Sequence, residues 1–278
     1  MTVKMQHYVP RSYLRKFAIS GTERLFCYNL RTGKVINADI GNIGGEQHFY
    51  DFNAPNQPFE EYLEAIESSI SKIYRAILIE ETVARLSPNE REQIAIFLIV
   101  QFSRTRHFRE FIKDWTKANR DGLLGSNPSS NDEEFISNII RSGNQELEIK
   151  GIQKTVIMRL ISDLTPLVLR MKWIIFKNQT RDPFITSDNP ISMFIPKEFP
   201  GSTMVGFERK GIQIYFPLNP SLCLCICDPT SYDQQGLMQI SEPQEIDFIN
   251  GLQVNSANRH VFSSEGDFSI IRRMKANQ

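Results

Sequence analysis

The spacing of apolar residues changes twice along this chain, and no other feature constrains its fold as tightly. Across residues 58–165 apolar side chains recur at helical spacing: Leu63, Ile66, Ile70, Ile73 and Ile77 make one stripe, and Ile94, Phe97, Leu98, Phe108, Phe111 and Trp115 make a second. On both sides of this middle, short apolar runs are cut by Gly, Pro and Asn, the pattern of strands and turns. The expected fold class is therefore α+β: a small N-terminal β-hairpin region (1–57), a central helical bundle (58–165) and a C-terminal, mainly antiparallel sheet (166–278) packed on the helices. We read one domain over 1–278, with sheet elements from the two ends of the chain packing together against the helices.

Local signals support this order. Residues 24–30 and 34–40 flank Arg31-Thr32-Gly33, a hairpin with Gly where a positive φ is required. Pro58 and the carboxylates Glu60, Glu61 and Glu64 mark a helix start, where the helix dipole favours negative charge. Ser87-Pro88-Asn89-Glu90 is a capping box opening a helix expected to run unbroken past Trp115. Residues 121–134 read as a loop, 132–142 and 147–164 as helix. After Pro166 the strands are expected at 168–177, 184–186, 191–195, 212–217 and 222–228. A helix over 241–256 and a strand over 259–263 close the pattern.

Lys+Arg and Asp+Glu both number 32, so a globally basic nucleic-acid binder is not expected, although a local basic groove is compatible with this balance. The longest apolar runs, near 94–100 and 222–227, are too short to span a bilayer. No secretory signal is legible, so a cytoplasmic location is expected. Cys223, Cys225 and Cys227 alternate in CLCIC and share one strand face. They read first as small buried core residues, with soft-metal ligation as the alternative.

Functional candidates are polar residues on apolar stripes, because a buried polar group is either satisfied internally or held for a ligand. Gln101, Arg104 and Thr105 fall on the second helical stripe, and Glu67 falls on or beside the first. Arg104 either pairs with a carboxylate such as Glu67 or grips a phosphate or carboxylate. His7 lies among aromatic residues with Arg11 and Arg15 nearby, a second anion-binding pattern. Thr186-Ser187-Asp188-Asn189-Pro190 reads as a turn between strands that presents Asp188 and Asn189. No GxGxxG, P-loop, GxSxG, HExxH or CxxC motif occurs.

QHYVPRSYLRKFA at 6–18 resembles the signature of the HYVP-motif proteins, domain-of-unknown-function family 4238. EQHFYDF at 46–52, LEAIES at 63–68, FLIVQFSRTR at 97–106, FITSDNPI at 184–191 and YFPLNP at 215–220 agree in order, so the resemblance covers almost the whole chain. It implies a mainly prokaryotic, cytoplasmic protein whose polar motifs are His7, Arg11, Glu67, Gln101, Arg104, Asp188 and Asn189. It implies no reaction. His-aromatic-Val-Pro-Arg also looks like the first strand of an HNH nuclease, but the downstream Asn and His of that ββα metal finger have no counterpart here.

The expected function is an anion- or phosphate-binding site, with a nuclease or nucleotide phosphodiesterase in a defence or toxin setting as the leading reading. In it His7, Glu67 and Asp188 are catalytic, and Arg11, Gln101, Arg104 and Asn189 bind substrate. A divalent cation is the candidate cofactor, held by Glu67 and Asp188. A nucleotide or nucleic acid is the candidate partner. Two alternatives stand beside this reading: a non-catalytic nucleotide sensor, and a buried polar network that specifies the fold.

Overall fold

The computed structural model describes residues 5–51, 58–125, 131–199, 206–234 and 236–276. Of the loop expected over 121–134, residues 121–125 and 131–134 are helical instead, while 126–130, like Phe52 of the EQHFYDF stretch, lie outside the described residues. The chain begins with β1 (Met5–His7) and α1 (Arg11–Leu14), then β2 (Arg24–Asn29), β3 (Val35–Asp39) and β4 (Gly45–Gln47). Helices α2 (Pro58–Glu80), α3 (Pro88–Ser103), α4 (Arg106–Gly125), α5 (Asn131–Arg141) and α6 (Gln145–Arg170) form the middle. Then come β5 (Lys172–Asn178), β6 (Thr186–Ser187), β7 (Ser192–Phe194), β8 (Gln213–Asn219), β9 (Leu222–Cys227) and β10 (Gly236–Ile240). The order closes with α7 (Pro243–Ser256), β11 (His260–Ser263) and α8 (Ser269–Ala276). The fold class is α+β, as the periodicity indicates.

The hairpin forms as its turn chemistry dictates: β2 and β3 are antiparallel, and Gly33 has φ 71°. It is completed from the far end of the chain, in a sheet of order β3-β2-β11-β6. A second sheet, β10-β5-β9-β8-β7, is antiparallel apart from the β10–β5 pair. Its central strand β9 is buried along its whole length. Leu222, Leu224 and Ile226 join the main core with α2, α3 and α6, while Cys223, Cys225 and Cys227 face a smaller core with Ile246 and Ile249 of α7. This sheet is covered on both faces, which is why β9 shows no polar alternation.

Two helix boundaries differ from expectation. The second helical stripe is two helices: α3 ends at Ser103 and α4 begins at Arg106, with Arg104 at φ −89°, ψ −6° as the C-cap of α3. Pro166 does not end its helix; α6 runs on to Arg170. Proline costs one helical hydrogen bond, and here the flanking Leu164, Leu167, Val168 and Leu169 all pack into the main core, which offsets that loss. The Ser87–Glu90 capping box forms with both of its reciprocal bonds.

The N-terminal segment is core, not a tail. Val9, Leu14 and Phe17 are fully buried. Tyr13 stacks on Phe216 at 4.9 Å, its hydroxyl lies 2.7 Å from the Thr186 hydroxyl, and it donates to the Pro217 carbonyl at 2.8 Å. The HYVP tetrapeptide is thereby held between the helices and both sheets.

Candidate functional site

Tyr8 organises two polar clusters, one at its backbone and one near its hydroxyl. The first lies where β1 meets α2 and α3. The Tyr8 carbonyl accepts from Gln101 Nε2 at 3.0 Å and from Arg104 Nε at 3.2 Å. Arg104 also donates through Nε to Gln101 Oε1 at 3.1 Å and through Nη1 to Glu67 Oε1 at 2.9 Å. The break between α3 and α4 lets this side chain turn inward, where only 1% of it is exposed. The Arg104 carbonyl, freed by the same break, accepts from the Tyr50 hydroxyl at 2.7 Å.

A second tier supports the first. Gln6 Oε1 accepts from the backbone N–H groups of Tyr50 and Asp51 at 2.6 and 3.1 Å. Asp51 accepts from the Glu60 N–H at 3.0 Å, in the first turn of α2, and pairs with Lys154 at 2.6 Å. Four buried atoms of this region, Gln6 Nε2, His7 Nε2, Glu60 Oε2 and Arg104 Nη2, have no hydrogen-bond partner among the described residues. Buried polar atoms are rarely left so, and a group of them in one place marks where water or a ligand binds.

The electrostatics are unusual. His7 is lowered to about 4, first by burial and then by the guanidinium groups of Arg11 and Arg104, against the opposing pull of the Gly41 and Ile40 backbone. Arg11 is exposed and makes no hydrogen bond or ion pair among the described residues. Glu60 moves the other way, to about 7. Burial contributes most; Glu67, Glu64 and Asp51 push it further, and Arg104 opposes them. The dipole argument at a helix start misses Glu60, because its buried surroundings outweigh the dipole. Beside Glu67 a cavity of about 70 Å³ is lined by Ser12, Lys16, Ser71 and Tyr74.

The second cluster holds Asp188, fully buried, which accepts from the backbone N–H groups of Asn258 (2.8 Å), Arg259 (2.8 Å) and His260 (3.0 Å). Burial pushes its carboxyl up to about 6, while those three donors and Arg259 pull it down. Asp188, Glu46, Arg106 and Arg259 all act on the Tyr8 hydroxyl, and the Tyr13 hydroxyl, 2.7 Å from that of Thr186, brings the N-terminal motif segment against the TSDNP segment. Asn189 Nδ2 donates to the Ser256 carbonyl at 2.9 Å. His260 Nε2 lies 3.3 Å from Asn29 Nδ2. Asn29 Oδ1 already accepts from Arg31 and Thr32, so Nδ2 is the donor and His260 carries its proton on Nδ1, toward Asp188. Thus His7, Glu67, Gln101 and Arg104 come together with Arg11 at the rim. Asp188 and Asn189 occupy the other cluster and clamp the turn into β11.

Residues 5–267 match a family described as "Protein of unknown function (DUF4238)". The chain belongs to that family. Searches of curated proteins and of solved structures find no match to this DUF4238 chain. Among the described residues no three His, Cys, Asp or Glu side chains are grouped as metal ligands, and Glu67 and Asp188 sit in separate clusters. No described helix is long and apolar enough to cross a membrane. Gln6, Glu60, Asp51, Arg106 and Arg259 complete the two clusters. Sequence reading passes over them because Gln6 and Arg259 lie in or beside short strands, Glu60 opens a helix, Arg106 follows Thr105, and Asp51 has no local pattern to mark it.

Proposed function

We propose that this DUF4238 protein binds a phosphate-bearing ligand at the His7 cluster and hydrolyses a phosphoester there, as a nuclease or nucleotide phosphodiesterase of the prokaryotic cytoplasm. The observation that carries the reading is His7 between two guanidinium groups with unspent donors, Arg11 at the rim and Arg104 Nη2 inside. An oxyanion there receives charge-assisted bonds from both arginines. It also reverses the field on His7, so binding takes up a proton near neutral pH. Glu60, at about 7, is poised to take a proton from the attacking water or hydroxyl. The imidazolium of His7 then returns one to the leaving oxygen as the P–O bond breaks. The four cysteines, all free and buried, suit a reducing compartment.

A specific observation favours a second reading. Three of the Arg104 contacts go to the protein itself, to Tyr8, Gln101 and Glu67, which suits a network that locks the HYVP segment in place. Thermal unfolding of wild type, Arg11→Gln and His7→Asn with inorganic phosphate, nucleotides and short nucleic acids separates the two. Under the first reading phosphate stabilises wild type, by about 2.7 kcal/mol at a hundredfold excess over Kd, and both variants lose that gain while staying folded. If no anion stabilises wild type at any pH between 5 and 8, the cluster is architecture.

A further inference from the structure

The sulfur chemistry of β9 plays no part in the polar clusters. In the register of the second sheet Cys225 lies between Ile174 of β5 and Tyr215 of β8, and Cys227 lies between Lys172 and Gln213. Both thiols are free and almost wholly buried. Together with Tyr215, Tyr232 and Met238 they line a cavity of about 110 Å³, several times the 10–15 Å³ that admits one water. Met238, 36% exposed, is the sulfur of this lining nearest to solvent.

We propose that Cys225 and Cys227 form a two-coordinate thiolate site for one soft monovalent cation, Cu(I), entering past the Met238 thioether. Geometry separates this from the other chemistry open to two thiols. Residues i and i+2 of a strand have Cα atoms about 6.6 Å apart, at the upper limit for a disulfide, whose sulfurs must close to about 2.05 Å. β9 is paired on both sides and cannot pucker to bring them closer. Two metal–thiolate bonds of about 2.3 Å each reach across a sulfur separation of up to about 4.6 Å, more than twice the S–S bond length. Zinc sites take four ligands, and no third His, Cys, Asp or Glu joins this pair among the described residues. Thiolate and thioether donors select Cu(I).

The charge also balances. Loading releases two protons, one from each thiol, and leaves a bis-thiolate Cu(I) of net charge minus one. The Lys172 ammonium, opposite Cys227 in the register and held by the Tyr232 carbonyl and Asp233, is the nearest cation in the sheet register.

The test uses the full, reduced chain under anaerobic conditions, titrated with Cu(I) against a chromophoric Cu(I) chelator. Wild type and Cys27→Ser, whose cysteine sits in the other sheet, retain one Cu(I) per chain. Cys225→Ser and Cys227→Ser lose at least a hundredfold in affinity, and zinc is not retained. X-ray absorption of loaded wild type, which needs no variant, reads two sulfur ligands at the metal. The proposal is overturned if wild type yields all its Cu(I) to the chelator, if Cys227→Ser binds as wild type does, or if the metal shows oxygen or nitrogen neighbours in place of two sulfurs. None of these outcomes depends on whether the His7 cluster binds phosphate.

Discussion

Replacing Glu60 with glutamine keeps the shape of a buried side chain and removes its charge. Glu60 is 9% exposed, and its carboxyl is raised from 4.5 to about 7. The folded value lies above the unfolded one, so the folded chain holds this proton more tightly. The stability Glu60 contributes is fully present below pH about 4.5 and is lost as pH rises to about 7. At about 1.36 kcal/mol for each tenfold change in the proton equilibrium, the loss is about 3 kcal/mol. Glutamine at this position is never ionised and does not suffer it. At pH 4 wild type and Glu60→Gln should be equally stable; at pH 8 the variant should be more stable by about 3 kcal/mol. In a chain of this length that is a rise in Tm of about 6–12 °C. Urea unfolding of both proteins from pH 4 to 8.5 measures the difference directly, because the other titrating groups cancel. Two stability curves that run parallel between pH 4.5 and 8 would refute the argument, since Glu60 would then titrate alike in both states. Under the proposed function the same variant is inactive, a gain in stability at the expense of activity.

Two further substitutions probe the clusters. Arg104→Ala removes three side-chain hydrogen bonds but leaves Glu67, 24% exposed, free to rehydrate. The expected cost is about 3 kcal/mol, the low end for breaking a buried pair; a loss below about 1 kcal/mol by urea unfolding contradicts an anchoring role for this residue. Asp188→Asn offers one acceptor oxygen where three N–H donors converge and turns an NH2 group toward them. We expect a loss of about 2–4 kcal/mol and faster amide exchange at Asn258, Arg259 and His260, and unchanged exchange there counts against the clamp.

Local chemistry made much of this molecule legible. The Ser87–Glu90 box, the Gly33 turn and the apolar stripes of α2 and α3 depend on neighbours a few residues apart, and each appears where the residues place it. The pairing of the N-terminal hairpin with β11 was decided by the tertiary fold, because nothing local in either segment names its strand partner. The helix break at Arg104 was hidden, since one stripe passes through both α3 and α4; it forms because the guanidinium gains Tyr8, Gln101 and Glu67 by turning inward. Pro166 misled for a similar reason: a local cost was outweighed by core contacts on either side.

The candidate residues divide along the same line. Burial logic on one helix stripe was enough to single out Gln101 and Arg104, and with Glu67 one turn away on the preceding helix it proposed their pairing. That His7 joins them while Asp188 and Asn189 do not was decided by tertiary structure, through the passage of Tyr8 from one cluster to the other. Glu60 shows the limit most clearly. Its identity and position at a helix start speak for an ordinary exposed carboxylate. Only its burial in the assembled fold, with Asp51 from the preceding segment and Glu67 and Glu64 of its own helix beside it, makes it a group that titrates near neutrality. A sequence states which side chains can ionise, but the field and the solvent each one meets belong to the assembled fold.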